Sequence, residues 1–333
     1  MGQSIASVRG GGGMSRGRPS RGRTCCVLVA LGLVVALALI AAACGAAGSN
    51  AGSGATNTGS GGTLHVVAAE NFWGSIAAQL GGSKVAVSSI ITNPNTDPHS
   101  YEPTAADART FATGQMVIVD GIGYDPWATQ LIAANPVSGR VELNVGDLVH
   151  VAVGGNPHQW YSPTSVHAVI DQITADYKRI DPADSAYFAS QRTAYLSHGL
   201  ARYDQLIAAI KAKYAGTPVG ASESIFAELA PALGLKLLTP PTFLRAISEG
   251  TEPTAADKQT IDHQIAAHLI KVYVYNSQNA TPDVQAQVQA ARAAGIPVTT
   301  ITETLDPASA TFQAWQVSQL QSLQAALAKV TGQ

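Results

Sequence analysis

From Leu64 to the C-terminus, short apolar runs alternate with stretches of helical character, and that alternation constrains the fold more than any other feature. The runs "LHVVAAE" (64–70), "KVAVSSIIT" (84–92), "QMVIVDG" (115–121) and "RVELNV" (140–145) read as strands. Between them, 72–80, 104–112 and 126–134 read as helices. Past Gly216 the pattern resumes. Strands at 218–222, 235–238, 270–276 and 297–305 are separated by helices at 223–232, 254–268 and 281–293, and a helix at 310–330 closes the chain. Strands that alternate with helices at this spacing indicate parallel α/β architecture. Between the halves, 164–180 reads as a helix, and 183–214 has no proline and a single glycine, Gly199. As one helix it spans roughly 45 Å, long enough to run across two lobes.

The first 63 residues have a different character. A basic, glycine-rich stretch (1–24) precedes an unbroken apolar run from Val27 to Ala43, the layout of a secretory signal. Ala41, Ala42 and Ala43 stand directly before Cys44, which resembles a lipobox whose cysteine is lipidated and becomes residue one of the mature chain. The residues after it, up to Thr63, are rich in Ala, Gly, Ser and Asn and read as a flexible tether. Cys25 and Cys26 leave with the signal and Cys44 is consumed by lipid, so no disulfide is expected in the mature chain.

Formal net charge is −2, but residues 1–43 hold five arginines and no acid, so the remainder carries 15 basic and 22 acidic residues. That balance argues against a nucleic-acid partner. It suits a handler of cations, although many soluble proteins share it.

The hexapeptide "EPTAAD" occurs at 102–107 and again at 252–257. Thr104 and Thr254 can each cap a helix, with Asp107 and Asp257 returning the bond from three residues on. Capping leaves His99, in "TDPHSYEP", without a role. His158, in "NPHQWYSP", shares its setting: a loop beside a strand end, a proline immediately before, an aromatic residue close after. Loops at strand ends are where α/β folds place ligands.

The segments "AAENFWGSIAAQLGG", "ITNPNTDPHSYEPTAAD", "GIGYDPW", "NPHQWYSP" and "ITETLDP" resemble, in order, those of the zinc/manganese substrate-binding lipoproteins of bacterial metal ABC importers (the periplasmic solute-binding protein family 9, cluster A-I). The resemblance covers 64–333. It implies an α/β fold of two lobes, each a mainly parallel sheet flanked by helices. On this reading 1–43 is the lipoprotein signal peptide, 44–63 the tether after lipidated Cys44, 64–182 the N-terminal lobe, 183–214 the linking helix and 215–333 the C-terminal lobe. A metal would lie in the cleft between lobes, on His99, His158, Glu223 (in "ESIFAELAPALGL") and Glu303 (in "TITETLDP"), with Asp306 as the fallback for the fourth ligand. Many relatives carry Asp at that point, so Glu303 departs from the commonest pattern. Read without the family, Glu223 is as well explained by a helix dipole and Glu303 by an exposed strand end.

Two imidazoles and two carboxylates neutralise a dication and suit Zn²⁺ or Mn²⁺. The missing His-rich loop and the Glu at 223 tilt slightly towards manganese. Such a site is expected to lose metal on acidification through the imidazole range. The implied role is capture of one Zn²⁺ or Mn²⁺ per chain, as transported ligand, outside the cytoplasmic membrane. A monomer anchored by its lipid would deliver the ion to a permease and its ATPase subunit. The competing readings are a metal-dependent hydrolase and a surface adhesin. HExxH is missing, and no G-x-S-x-G elbow occurs after residue 43, so the chain is expected not to be an enzyme.

Overall fold

The structure, a computed structural model, describes residues 62–332. The signal segment, Cys44 and all of the tether except Gly62 and Thr63 lie outside the described residues. Among the described residues no helix is long and apolar enough to cross a membrane.

Among the described residues eight strands form two four-stranded sheets, and every strand pair is parallel. The first sheet has the order β2-β1-β3-β4, from β1 (Leu64–Glu70), β2 (Val85–Ile91), β3 (Met116–Val119) and β4 (Val141–Asn144). Helices α1 (Asn71–Gly81), α2 (Ala105–Thr113) and α3 (Pro126–Ala134) alternate with them, and α4 (Val145–Val149) follows β4 directly. β1 and β3 are buried almost throughout, as central strands covered on both faces must be.

The connecting region holds α5 (Pro163–Ile180), α6 (Ser185–Ala194) and α7 (Ala201–Tyr214). The single helix expected over 183–214 is helical for most of its length but contains a π turn at Tyr195–Gly199, where the Leu200 N–H reaches the Tyr195 carbonyl at 2.8 Å. Gly199 permits this. A Cβ there would lie 2.6 Å from the Tyr195 ring, so any larger residue would push the ring away.

The second sheet repeats the first, in the order β6-β5-β7-β8, from β5 (Pro218–Ala221), β6 (Lys236–Leu237), β7 (Val272–Asn276) and β8 (Val298–Ile301). Around it lie α8 (Pro241–Ser248), α9 (Ala255–Ala266), α10 (Pro282–Ala293) and α11 (Phe312–Thr331). Three readings differ from expectation here. Residues 223–232 form a short 3₁₀ turn at Ser224–Ala227 and further turns, because Pro231 cannot supply the N–H that a continuing helix needs. Helix α8 starts with Pro241 in its first turn, where proline is favoured, and its apolar face (Phe243, Leu244, Ile247) is buried. The last strand ends at Ile301 instead of 305.

The echoed hexapeptides open α2 and α9. Thr104 and Asp107 form a complete capping box. At the second copy only Thr254 caps, and Asp257 instead accepts the Thr242 hydroxyl at 3.0 Å. One apolar cluster runs from Leu64 and Trp73 through Trp160 and Tyr203 to Trp315 and Leu327, so both sheets share a continuous core.

Candidate metal centre

In each sheet the chain order reverses beside a central strand, between β1 and β3 in the first and between β5 and β7 in the second. Crevices at the carboxyl ends of such strands are where open α/β sheets hold ligands. Segments leaving both sets of strand ends bring His99, His158, Glu223 and Glu303 together, with one possible ligand atom from each lying within 4.8 Å of the others. Asp306, the fallback, is exposed and is not part of the group.

His99 lies in a 3₁₀ turn after β2. Asp97 caps the turn, accepting the His99 N–H at 3.0 Å and the Ser100 hydroxyl at 3.2 Å. Tyr101, two residues on, ties this turn to α2 through its hydroxyl, which donates to Asp107 at 2.9 Å. His158 directly precedes the next 3₁₀ turn (Gln159–Tyr161), and its ring is fully buried. Its Nδ1 sits 2.7 Å from Asn156 Oδ1, and Asn156 Nδ2 donates to the Ser224 carbonyl at 2.8 Å. With the amide orientation set, Nδ1 must carry the proton, and Nε2 keeps its lone pair for the site. Asn156 also joins the His158 loop to the turn that carries Glu223.

Glu223 follows β5 in extended backbone, and Glu303 sits in the buried segment after β8. That segment leaves the sheet because Thr302 is claimed from elsewhere: its carbonyl accepts the Tyr161 hydroxyl at 2.9 Å and its Oγ1 accepts the Trp315 indole N–H at 2.8 Å. Asn276, the last residue of β7, donates its Nδ2 to Glu223 Oε2 at 2.8 Å and to Glu303 Oε1 at 2.9 Å. The Tyr124 hydroxyl donates to Glu303 Oε2 at 3.0 Å. His158 Nε2 lies 3.3 Å from Glu303 Oε1.

His99 Nε2, His158 Nε2 and Glu223 Oε1 are all buried without a hydrogen-bond partner. An orphaned buried polar atom is costly, and three aimed at one point are explained by a ligand that satisfies all of them. Burial also suppresses charge. It lowers the His99 pKa and holds His158 at about 4. Burial, and then the charge of Glu303, pushes Glu223 up to about 8, and burial raises Glu303 as well. The metal-free site thus keeps neutral imidazoles and a carboxyl pair that retains a proton.

Aromatic rings wall the site. His99 meets Tyr124 edge to face at 4.7 Å, His158 meets Trp160 at 5.2 Å, and Trp160 stacks on Phe72 at 3.9 Å. Tyr124 is aimed by the turn after β3. There the Asp125 carboxylate accepts the N–H groups of Asp120 and Gly121, both at 2.8 Å, and Gly121 adopts a φ of 75° that favours glycine. A second acidic group, unforeseen from sequence, lies at the ends of β1 and β3. Glu70 is fully buried, and neither of its oxygens meets a donor. Burial, followed by Asp125 and Asp120, pushes its pKa well up. Asp120 is raised by burial too and accepts the Trp73 indole N–H at 2.9 Å, while burial brings Asp125 to about 6.

The family profile described as "Zinc-uptake complex component A periplasmic" matches residues 66–326. The chain belongs to this zinc-uptake component A family. Family relatives include the manganese-binding lipoprotein MntA of Halalkalibacterium halodurans, 25% identical over 173 residues that cover 49% of this chain and 53% of the relative. The zinc uptake protein ZnuA of Bacillus subtilis is 22% identical over 261 residues, covering 73% of this chain and 79% of the relative. The chain thus spans about half the length of MntA and more of ZnuA. The fold is shared with the Mn-bound periplasmic metal-binding protein of Candidatus Liberibacter asiaticus (TM-score 0.65, 18% identity, 79% of this chain and 99% of that one). It is shared too with the binding protein FpvC of Pseudomonas aeruginosa in complex with Mn²⁺ (TM-score 0.65, 21% identity, 80% and 98%).

The two histidines were legible as proline-framed loop residues, whereas Glu223 and Glu303 were carried by the resemblance to this family. Asn276, Tyr124 and Asn156 were missed. The one available signal was position, since Asn276 ends a predicted strand.

Proposed function

We propose that the protein captures one Zn²⁺ or Mn²⁺ outside the cytoplasmic membrane and passes it to the permease of an ABC importer driven by an ATPase subunit. The observation that carries this reading is the convergence of four donor side chains, three of which hold a buried ligand atom with no protein partner. His99 Nε2, His158 Nε2, Glu223 and Glu303 are the ligands, and the cargo is the dication itself. His99 and His158 come from the 64–182 lobe and Glu223 and Glu303 from the 215–333 lobe, so binding links the two. Cys44 carries the lipid that keeps the monomer at the outer face of the membrane, after the 1–43 signal is removed. Four protein ligands leave little room for the open coordination position that metal-assisted hydrolysis needs, which favours binding over catalysis.

Calorimetric titration with Zn²⁺ and with Mn²⁺ tests this. One equivalent is expected to bind, with no turnover of ester, peptide or phosphate substrates. His99→Ala and His158→Ala should each weaken binding by more than the 10–100-fold, roughly, that an outer-sphere partner contributes. Unchanged affinity in either variant would remove that residue from the site, and reproducible metal-dependent hydrolysis would favour the enzyme. Cys44→Ser should abolish incorporation of labelled fatty acid.

A further inference from the structure

Asn276 is held more firmly than a residue at a strand end requires. It is fully buried, its backbone N–H donates to Ser222 Oγ at 3.0 Å, and its Oδ1 accepts the Gln278 N–H at 3.0 Å. With Oδ1 committed to a donor, Nδ2 has to face the site. Its two hydrogens are divided between Glu223 Oε2 and Glu303 Oε1, and the Tyr124 hydroxyl takes Glu303 Oε2. Two neutral side chains therefore hold three of the four carboxylate oxygens, and Glu223 Oε1 alone is bare. The neutrality matters, since a lysine at 276 would bring its own cation into the place meant for the cargo.

We propose that Asn276 and Tyr124 are positioning residues: Asn276 holds Glu223 Oε2 and Tyr124 holds Glu303 Oε2, which leaves Glu223 Oε1 and Glu303 Oε1 towards the cargo and so biases the site against ions that need more than four ligands. The proposal rests on the metal-capture reading and adds the origin of selectivity to it. Two imidazole nitrogens and two single carboxylate oxygens match the tetrahedral demand of Zn²⁺. Mn²⁺ favours six, mainly oxygen, ligands and gains from a carboxylate that can turn to chelate. A carboxylate tethered by a fixed amide cannot turn freely, and outer partners of this kind orient the inner ligands.

The test compares full-chain wild type with Asn276→Ala and Tyr124→Phe. Zn²⁺ and Mn²⁺ affinities are measured by competition with a chelating dye, and Co²⁺ reports coordination number through its visible bands. Wild type should show the intense bands of four-coordinate Co²⁺. Asn276→Ala should weaken Zn²⁺ binding by about 10–100-fold and Mn²⁺ binding less, lowering the Zn²⁺-to-Mn²⁺ affinity ratio by at least about ten-fold while the Co²⁺ bands fade. Tyr124→Phe, which frees only one oxygen, should shift both readouts the same way by a smaller amount, and it decides the matter if the alanine variant does not fold. Equal losses for both ions with an unchanged Co²⁺ spectrum overturn the proposal and leave metal capture standing. Wild type that binds none of the three ions overturns both.

Discussion

Consider metal-free protein titrated with Zn²⁺ at pH 7 in two buffers that differ in ionisation enthalpy. His158 has no proton to give up, because burial keeps it neutral down to about 4, and burial lowers His99 as well. Glu223 does have one. Burial and the neighbouring charge of Glu303 set it at about 8, so at pH 7 the proton is present in about 0.9 of the molecules. A dication is held by the carboxylate, so binding must expel that proton. The observed binding enthalpies in the two buffers should then differ by about 0.9 times the difference in their ionisation enthalpies. Apparent affinity should rise about ten-fold per pH unit up to about 8 and then level off, a loss of about 100-fold between pH 7 and pH 5. The sign follows from the raised pKa: the protonated form competes with metal, and it dominates below about 8. The raised Glu223 carboxyl extends the expected loss of metal on acidification to pH values above the imidazole range. Burial lowers both imidazoles and raises the carboxyl pair, so the pair carries the dependence near neutral pH. Buffer-independent enthalpy with flat affinity from pH 5 to 8 would refute this account, as would undiminished proton release in Glu223→Gln.

Metal at 100 times its Kd should stabilise the folded chain by about 2.7 kcal/mol and raise Tm by about 5–10 °C, reversibly with chelator; calorimetric scans showing no shift would count against a folded-state site. Glu70, raised by burial and then by Asp125 and Asp120, favours the folded state most below its ordinary pKa of 4.5, a contribution that is lost as pH climbs. Thermal stability of the metal-free protein should therefore fall as pH rises from about 5, and Glu70→Gln should flatten that fall. Identical slopes in the two proteins would rule this out. Trp160→Ala removes a fully buried ring stacked on Phe72 and should cost about 3–5 kcal/mol in denaturant titrations. A cost under about 1 kcal/mol would mean that the ring does not support the site as described.

The sequence by itself determined the architecture and singled out two of the four clustered side chains. Strand and helix periods are local properties, so β1 and α3 could be placed from the pattern of apolar residues alone, as could the capping threonines 104 and 254. His99 and His158 could be singled out because proline framing and strand-end position are also written within a few residues. Helix α8 escaped notice because two adjacent prolines read as a break, although the second opens the helix.

Tertiary structure alone decided how the four clustered side chains are held. Asn276 is 53 residues from Glu223 and 27 from Glu303, yet one amide reaches both. Tyr124 is 179 residues from the carboxylate it holds. Glu303 rather than Asp306 enters the cluster because Tyr161 and Trp315 pull Thr302 out of the sheet's line. Hydrogen bonds act over about 3 Å and ignore separation along the chain. Only the packing of the two sheets around a shared core turns residues with unremarkable neighbours into partners at one point.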